Sequence, residues 1–147
     1  MIFSSVGMIP VMSSDSQQGT TTIRVRYAEC DPMGVVHHAV YPIWFEIGRT
    51  ELLRETGLTY RELEEAGVYL AVVDLSVKYR RPARYDDLLT LKTTWNDSGR
   101  VKITHDYELL RHGECLATGR TTLACLDKEG GIRPLPESLM IGNTDEN

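Results

Sequence analysis

The spacing of hydrophobic positions changes period along the chain, and each change marks an element. From Thr21 to Glu29 the apolar residues Ile23, Val25 and Tyr27 alternate with Arg24 and Arg26, which predicts a half-buried first strand. Pro32 and Gly34 then break the pattern. From Val40 to Glu55 the residues Val40, Ile43, Trp44, Phe45, Ile47, Leu52 and Leu53 predict a helix with little polar surface in its first half. Pro42 suits its first turn, where a missing N–H costs nothing, and Gly57 suits a left-handed stop. A helix apolar on most sides is a buried helix, and in a chain of this size a curved sheet wrapped around it is the economical cover. Thr59 to Glu62 has the spacing of a capping box, predicting a short helix to Ala66 that Gly67 ends.

Beyond Gly67 the period becomes two. Tyr69, Ala71, Val73, Leu75, Val77 and Tyr79 alternate with their neighbours as one long strand that Pro82 terminates. Leu89 to Asn96, Val101 to Leu109 and Leu116 to Leu126 predict three more strands, separated by turns at Asn96–Gly99 and His112-Gly113. The tally is an α+β domain: an antiparallel five-stranded sheet around a long central helix. Residues 1–20 read as a flexible tail, 21–136 as the single domain, and 137–147 as a second flexible tail.

Bulk properties narrow the classes of function. The chain has 147 residues, 41% hydrophobic and 25% charged, as expected of one globular domain. A net charge of -5 argues against a nucleic-acid partner. No apolar run approaches the roughly 20 residues that cross a bilayer, so no stable membrane insertion is expected. Cys30, Cys115 and Cys125 are odd in number and lack CxxC spacing, reading as free thiols of a reducing compartment. Serines, Gly7 and Pro10 interrupt the apolar residues of the first dozen positions, and no Lys or Arg precedes Arg24, unlike a secretory leader. A cytoplasmic location is the expectation.

The candidate chemistry centres on Asp31-Pro32-Met33-Gly34-Val35-Val36-His37-His38. A carboxylate close to the start of a buried helix can attack a carbonyl or take a proton from water, although Asp before Pro is also a common turn former. Helix-terminal N–H groups around His37 and His38 lack internal partners and can hold a developing oxyanion. Gly34 lets the backbone approach a ligand or simply serves a tight turn. Glu46 is a charge in the least polar stretch of the helix and needs a partner, across a subunit contact or in support of Asp31. Cys30 with a histidine would be a rival nucleophile, but Cys30 and Asp31 should point in different directions on an extended segment. His37, His38, His105 and His112 lack any usual zinc spacing, so no metal is expected.

The run Tyr27 to His38, the run Tyr41-Pro42-Ile43-Trp44-Phe45-Glu46-Ile47-Gly48-Arg49-Thr50-Glu51 and the run Val77 to Asp87 together resemble hotdog-fold acyl-CoA thioesterases. The closest likeness is to the 4-hydroxybenzoyl-CoA thioesterase-like group and its Tol-Pal-associated branch, over roughly Thr22 to Pro136. The resemblance implies hydrolysis of an acyl-CoA or acyl carrier protein thioester, with no metal or prosthetic cofactor. It implies Asp31 as nucleophile or general base, with His38 and Tyr27 beside it. Gly34, Val36, His37, Tyr41 and Glu46 would line the substrate and oxyanion site. Arg80, Arg81 and Arg84 are candidates for the phosphates of coenzyme A. The site would lie between subunits of a homodimer or homotetramer. Two other readings share the fold: a non-catalytic acyl-thioester binding or sensing module, and a hydratase.

Overall fold

The computed structural model describes residues 17–140. The chain forms β1 (Gln18–Arg24), α1 (Tyr41–Glu55), α2 (Tyr60–Glu65), β2 (Tyr69–Tyr79), β3 (Leu88–Ser98), β4 (Lys102–Arg111) and β5 (Glu114–Leu126). The five strands make one antiparallel sheet in the order β1-β3-β4-β5-β2. This is a single hotdog domain: the long helix packs on one face of the sheet. The capping box forms as expected, with Thr59 Oγ1 accepting from the Glu62 N–H and Glu62 Oε1 accepting from the Thr59 N–H.

Helix and sheet approach closely because two glycines face each other's elements. A Cβ at Gly48 in α1 would overlap the Thr93 and Leu91 side chains of β3, and a Cβ at Gly119 in β5 would overlap the Phe45 ring. Phe45 is fully buried and stacks on Tyr107, with ring centroids 4.2 Å apart. One core cluster, with Trp44, Phe45, Leu91 and Leu109, lies under the first half of α1. A second, with Leu52, Leu53, Trp95, Ile103 and Leu139, lies under its end.

Several expectations need correction. The first strand begins at Gln18, and its early half pairs with β3, so residues 18–20 are not part of a tail. That strand ends at Arg24; residues Tyr27–Glu29 form a 3-10 turn, which throws Tyr27 outward. At the other end Glu137–Leu139 is a second such turn, with Leu139 buried in the core. The rest of the two expected tails, residues 1–16 and 141–147, lies outside the described residues. The central helix is not covered on all sides within one chain: Ile43 is 54% and Ile47 40% exposed. The turn expected at Asn96–Gly99 starts later, since β3 continues to Ser98.

The alternation along β2 is also broken. Val72 lies opposite Leu123 but Asp74 lies opposite Thr122, so the register shifts between them. Val73 is the extra residue of this bulge, and side chains directly opposite share a face. Leu70 and Val72 therefore share the helix-facing side with Leu75 and Val77, rather than opposing them as strict alternation predicts.

Candidate active site

The Asp31 segment is a tight hairpin held at its base by backbone hydrogen bonds. The Asp31 N–H donates to the Val35 carbonyl (2.8 Å), the Gly34 N–H to the Asp31 carbonyl (2.9 Å), and the His37 N–H to the Glu29 carbonyl (2.9 Å). Gly34 has φ +83, the left-handed region that a side chain disfavours, while a Cβ there would meet nothing within 4 Å. Gly34 thus serves the turn, not a close approach within this chain. The hairpin is anchored to the stretch after β2 by the Val36 N–H, which donates to the Ala83 carbonyl (2.8 Å), and by a bridge between Val35 and Arg84.

Asp31 is half-buried, and its two carboxylate oxygens differ. Oδ1 accepts from the Met33 N–H (2.9 Å) and the Val35 N–H (3.4 Å). Oδ2 has no hydrogen bond among the described residues. The turn-forming reading therefore holds for one oxygen and leaves the other open for chemistry.

The opposite limb of the hairpin runs directly into α1 through a 3-10 turn at His38–Val40. His37 caps that turn, its Nδ1 accepting from the Ala39 N–H at 3.0 Å. The His37 N–H is taken by Glu29 and the Val40 N–H by the His37 carbonyl. The His38 N–H has no partner among the described residues. Donors expected around His37 and His38 thus reduce to His38, because Glu29 occupies the other. The His38 imidazole is exposed and stacks on that of His37, with centroids 4.3 Å apart. Its carbonyl accepts from the Tyr79 hydroxyl at 2.8 Å, tying the helix start to the end of β2.

Other expected site residues fall in different places. Tyr27 is 80% exposed and meets Tyr85 edge-on at 5.6 Å, so it is no core tyrosine of the first strand. Val36 and Tyr41 are in the core, 5% and 3% exposed, and do not line an open site. Burial raises the pKa of the Tyr41 hydroxyl. Glu46 is exposed, not buried as its apolar neighbours suggest, because Trp44, Phe45 and Gly48 take the sheet side of α1. Arg81 is ion-paired to Glu114 (2.9 Å), and Arg80 is exposed. Arg84 stands nearest the hairpin, through the Val35 bridge. The Cys30 thiol donates to the Arg26 carbonyl at 3.9 Å. Among the described residues no three His, Cys, Asp or Glu side chains are grouped to hold a metal.

A groove of about 320 Å³ runs beside α1, lined by Pro42, Ile43, Glu46 and Arg49 of the helix, Val72 and Leu75 of β2, and Thr121 of β5. It begins at the first turn of the helix, where the hairpin joins. The hydroxyl of Thr121 is 2.6 Å from that of the buried Tyr107, and Arg49 Nη1 donates to the Tyr107 oxygen at 3.4 Å. No single stretch of sequence signals this groove, since it needs three elements and the β2 bulge.

The five-stranded antiparallel sheet against one long helix is a fold shared with solved thioesterase structures. The sequence signature described as the thioesterase-like superfamily matches residues 25–141, and the chain belongs to that family. The acyl-CoA thioester hydrolase YbgC of Escherichia coli O6:H1 is 39% identical over 120 residues, covering 80% of this chain and 90% of that protein. The acyl-CoA thioesterase YbgC of Haemophilus influenzae is 34% identical over 114 residues, covering 77% and 83%. The DHNA-CoA thioesterase of Staphylococcus aureus superposes with a TM-score of 0.76 at 33% identity, covering 80% and 79% of the two chains. Among the described residues no helix is long and apolar enough to cross a membrane.

Proposed function

We propose that the protein hydrolyses an acyl-CoA thioester to a carboxylic acid and free coenzyme A, with Asp31 as the reacting carboxylate and the His38 N–H as the oxyanion donor. One observation carries the reading: among the described residues the Asp31 Oδ2 and the His38 N–H both lack a partner, and they stand on opposite limbs of one hairpin. As a base, Oδ2 takes a proton from water, whose oxygen adds to the carbonyl; the C–S bond then breaks and the thiolate takes up the proton. As a nucleophile, Oδ2 forms an acyl anhydride, the thiolate leaves, and water cleaves the anhydride. Either route places negative charge on the carbonyl oxygen, where a preorganised N–H is worth roughly 3–4 kcal/mol. Single turnover in oxygen-18 water that puts label into the Asp31 side chain establishes the nucleophilic route, since the base route sends all the label into the released acid.

The acyl group fits the groove that starts at Pro42, and Arg84 is the cation best placed for a phosphate of the carrier. No metal or prosthetic group is needed for either route. The histidine at 38 supports assignment to the Tol-Pal-associated branch, and the free cysteines support a reducing, cytoplasmic setting. The edge strand β2 is 11 residues long and exposes Val72, Val73 and Leu75. Pairing with the same edge of a second copy would hide that surface and close the open side of the groove, so a homodimer is the working unit.

The test is thiol release from short, long and aromatic acyl-CoAs, with Asp31→Asn beside the wild type. The variant should lose at least ~100-fold in kcat. Full activity in Asp31→Asn overturns its assignment, and no turnover by the wild type on any member overturns the activity.

A further inference from the structure

Glu29 is a carboxylate inside the protein, only 8% exposed, two residues before Asp31. Buried carboxylates are costly unless donors surround them. Here three converge. Oε1 accepts from the Arg26 backbone N–H at 2.7 Å. Oε2 accepts from the Arg26 guanidinium at 3.1 Å and from the Trp44 indole N–H at 3.2 Å. Trp44 is 1% exposed and sits in the first turn of α1. The Glu29 carbonyl meanwhile accepts the His37 N–H, the residue before His38. One residue thus holds the limb that carries Asp31, the limb that carries His38 and the helix behind them.

We propose that Glu29 is a positioning residue, fixing the separation between the Asp31 carboxylate and the His38 N–H by pinning the hairpin to Trp44. This rests on the thioesterase reading above, in which those two groups act on the same carbonyl. Glu29 itself does not touch the substrate. Its acceptor-only chemistry is what the site requires: both oxygens face donors, so an amide in its place satisfies one side and turns an N–H against the other. Released from Trp44, the hairpin keeps its own backbone bonds but loses its angle to the helix. Misplacement of about 1 Å is enough to cost about 100-fold in rate.

The experiment compares wild type, Asp31→Asn, Glu29→Gln and Trp44→Phe on one acyl-CoA that the wild type hydrolyses. Glu29→Gln should lower kcat ~10–100-fold with KM within about threefold, since the acyl groove is untouched. The limbs of its pH–rate profile should stay where the wild type has them. Trp44→Phe, which keeps a ring in the core but removes the donor and part of the indole volume, should shift kcat in the same direction, read per folded enzyme. The double variant should then cost less than the sum of the two. A folded Glu29→Gln enzyme with wild-type kcat overturns the positioning role, as does a loss that only tracks the folded fraction, and a displaced pH limb would make Glu29 a proton carrier instead. If Glu29→Gln does not fold, Trp44→Phe decides alone: unchanged kcat overturns the proposal. Wild-type turnover that Asp31→Asn abolishes keeps the thioesterase reading standing whatever Glu29 does.

Discussion

His105 should make this protein acid-sensitive by a calculable amount. It is 2% exposed on β4, between Trp95 and Tyr107, and its Nδ1 has no hydrogen-bond partner among the described residues. Burial, and then the charge of Arg49, push its pKa down from 6.5 to about 3. The unfolded chain therefore binds a proton near pH 6.5 that the folded chain refuses until far lower. With the folded value depressed, stability is full above about pH 6.5 and falls as the pH drops toward 3. From about pH 7 to about pH 5 the loss is roughly 2 kcal/mol, at ~1.4 kcal/mol per unit below the ordinary histidine value. Because pH 5 lies well above 3, that figure is set by the unfolded histidine. The assay is urea denaturation at a series of pH values and one fixed protein concentration, comparing wild type with His105→Leu. The variant's own stability is immaterial; its pH slope is the readout. The wild type should lose roughly 2 kcal/mol more than the variant over this interval. Parallel curves would refute the reasoning and mean that His105 titrates normally in the fold.

Asp87 gives a second linkage. Burial alone would raise its carboxyl, but the Arg84 N–H and the Arg111 guanidinium outweigh it and hold the pKa below 3.8. With both partners of the 2.8 Å ion pair under a quarter exposed, Asp87→Asn should cost ~1–2 kcal/mol at neutral pH. That stability is present above the ordinary carboxylate range and lost as pH falls through the lowered value, so the two denaturation midpoints should converge in acid. A difference that persists unchanged there would mean packing, not charge. Gly119→Ala should destabilise by ~1–3 kcal/mol, because the new methyl overlaps the Phe45 ring and forces α1 outward. A cost under about 0.5 kcal/mol in urea melts would show that the helix has room to move.

Most of the fold was legible because local periodicity and tertiary burial agree in most elements. The span of β2, the capping box at Thr59 and the alternation of Ile103, His105, Tyr107 and Leu109 in β4 all appear as expected. Misreadings occur where a distant partner decides. Gln18 to Thr20 look like polar tail, yet the Thr93 and Lys92 backbones recruit them into the sheet. The bulge at Val73 leaves no local trace. Asp31, Gly34 and His38 were singled out through their motif, and all three lie on one hairpin and the turn that follows it. Val36 and Tyr41 were assigned to the site but belong to the core, since backbone at Ala83 and rings at Trp44 and Tyr79 enclose them. Glu46 looked buried because Ile43 and Ile47 flank it, but those three positions form the outer face of α1. Glu29 was not singled out, because its burial depends on a donor from Trp44, 15 residues away.

The strand order β1-β3-β4-β5-β2 has a kinetic side. β3, β4 and β5 are joined by short turns and pair only with sequence neighbours among themselves, so their contacts close small loops. β1, the Asp31 hairpin, α1 and β2 must find that meander from farther along the chain, and long-range closure is slow. Local opening at equilibrium should follow the same division, with the Asp31 hairpin detaching while the central strands stay paired. Amide exchange should therefore be slowest in β4 and fastest in the hairpin, and catalysis should fail in denaturant before the sheet signal does. Loss of both at one midpoint would instead mean that the Asp31 hairpin unfolds with the sheet in one cooperative step.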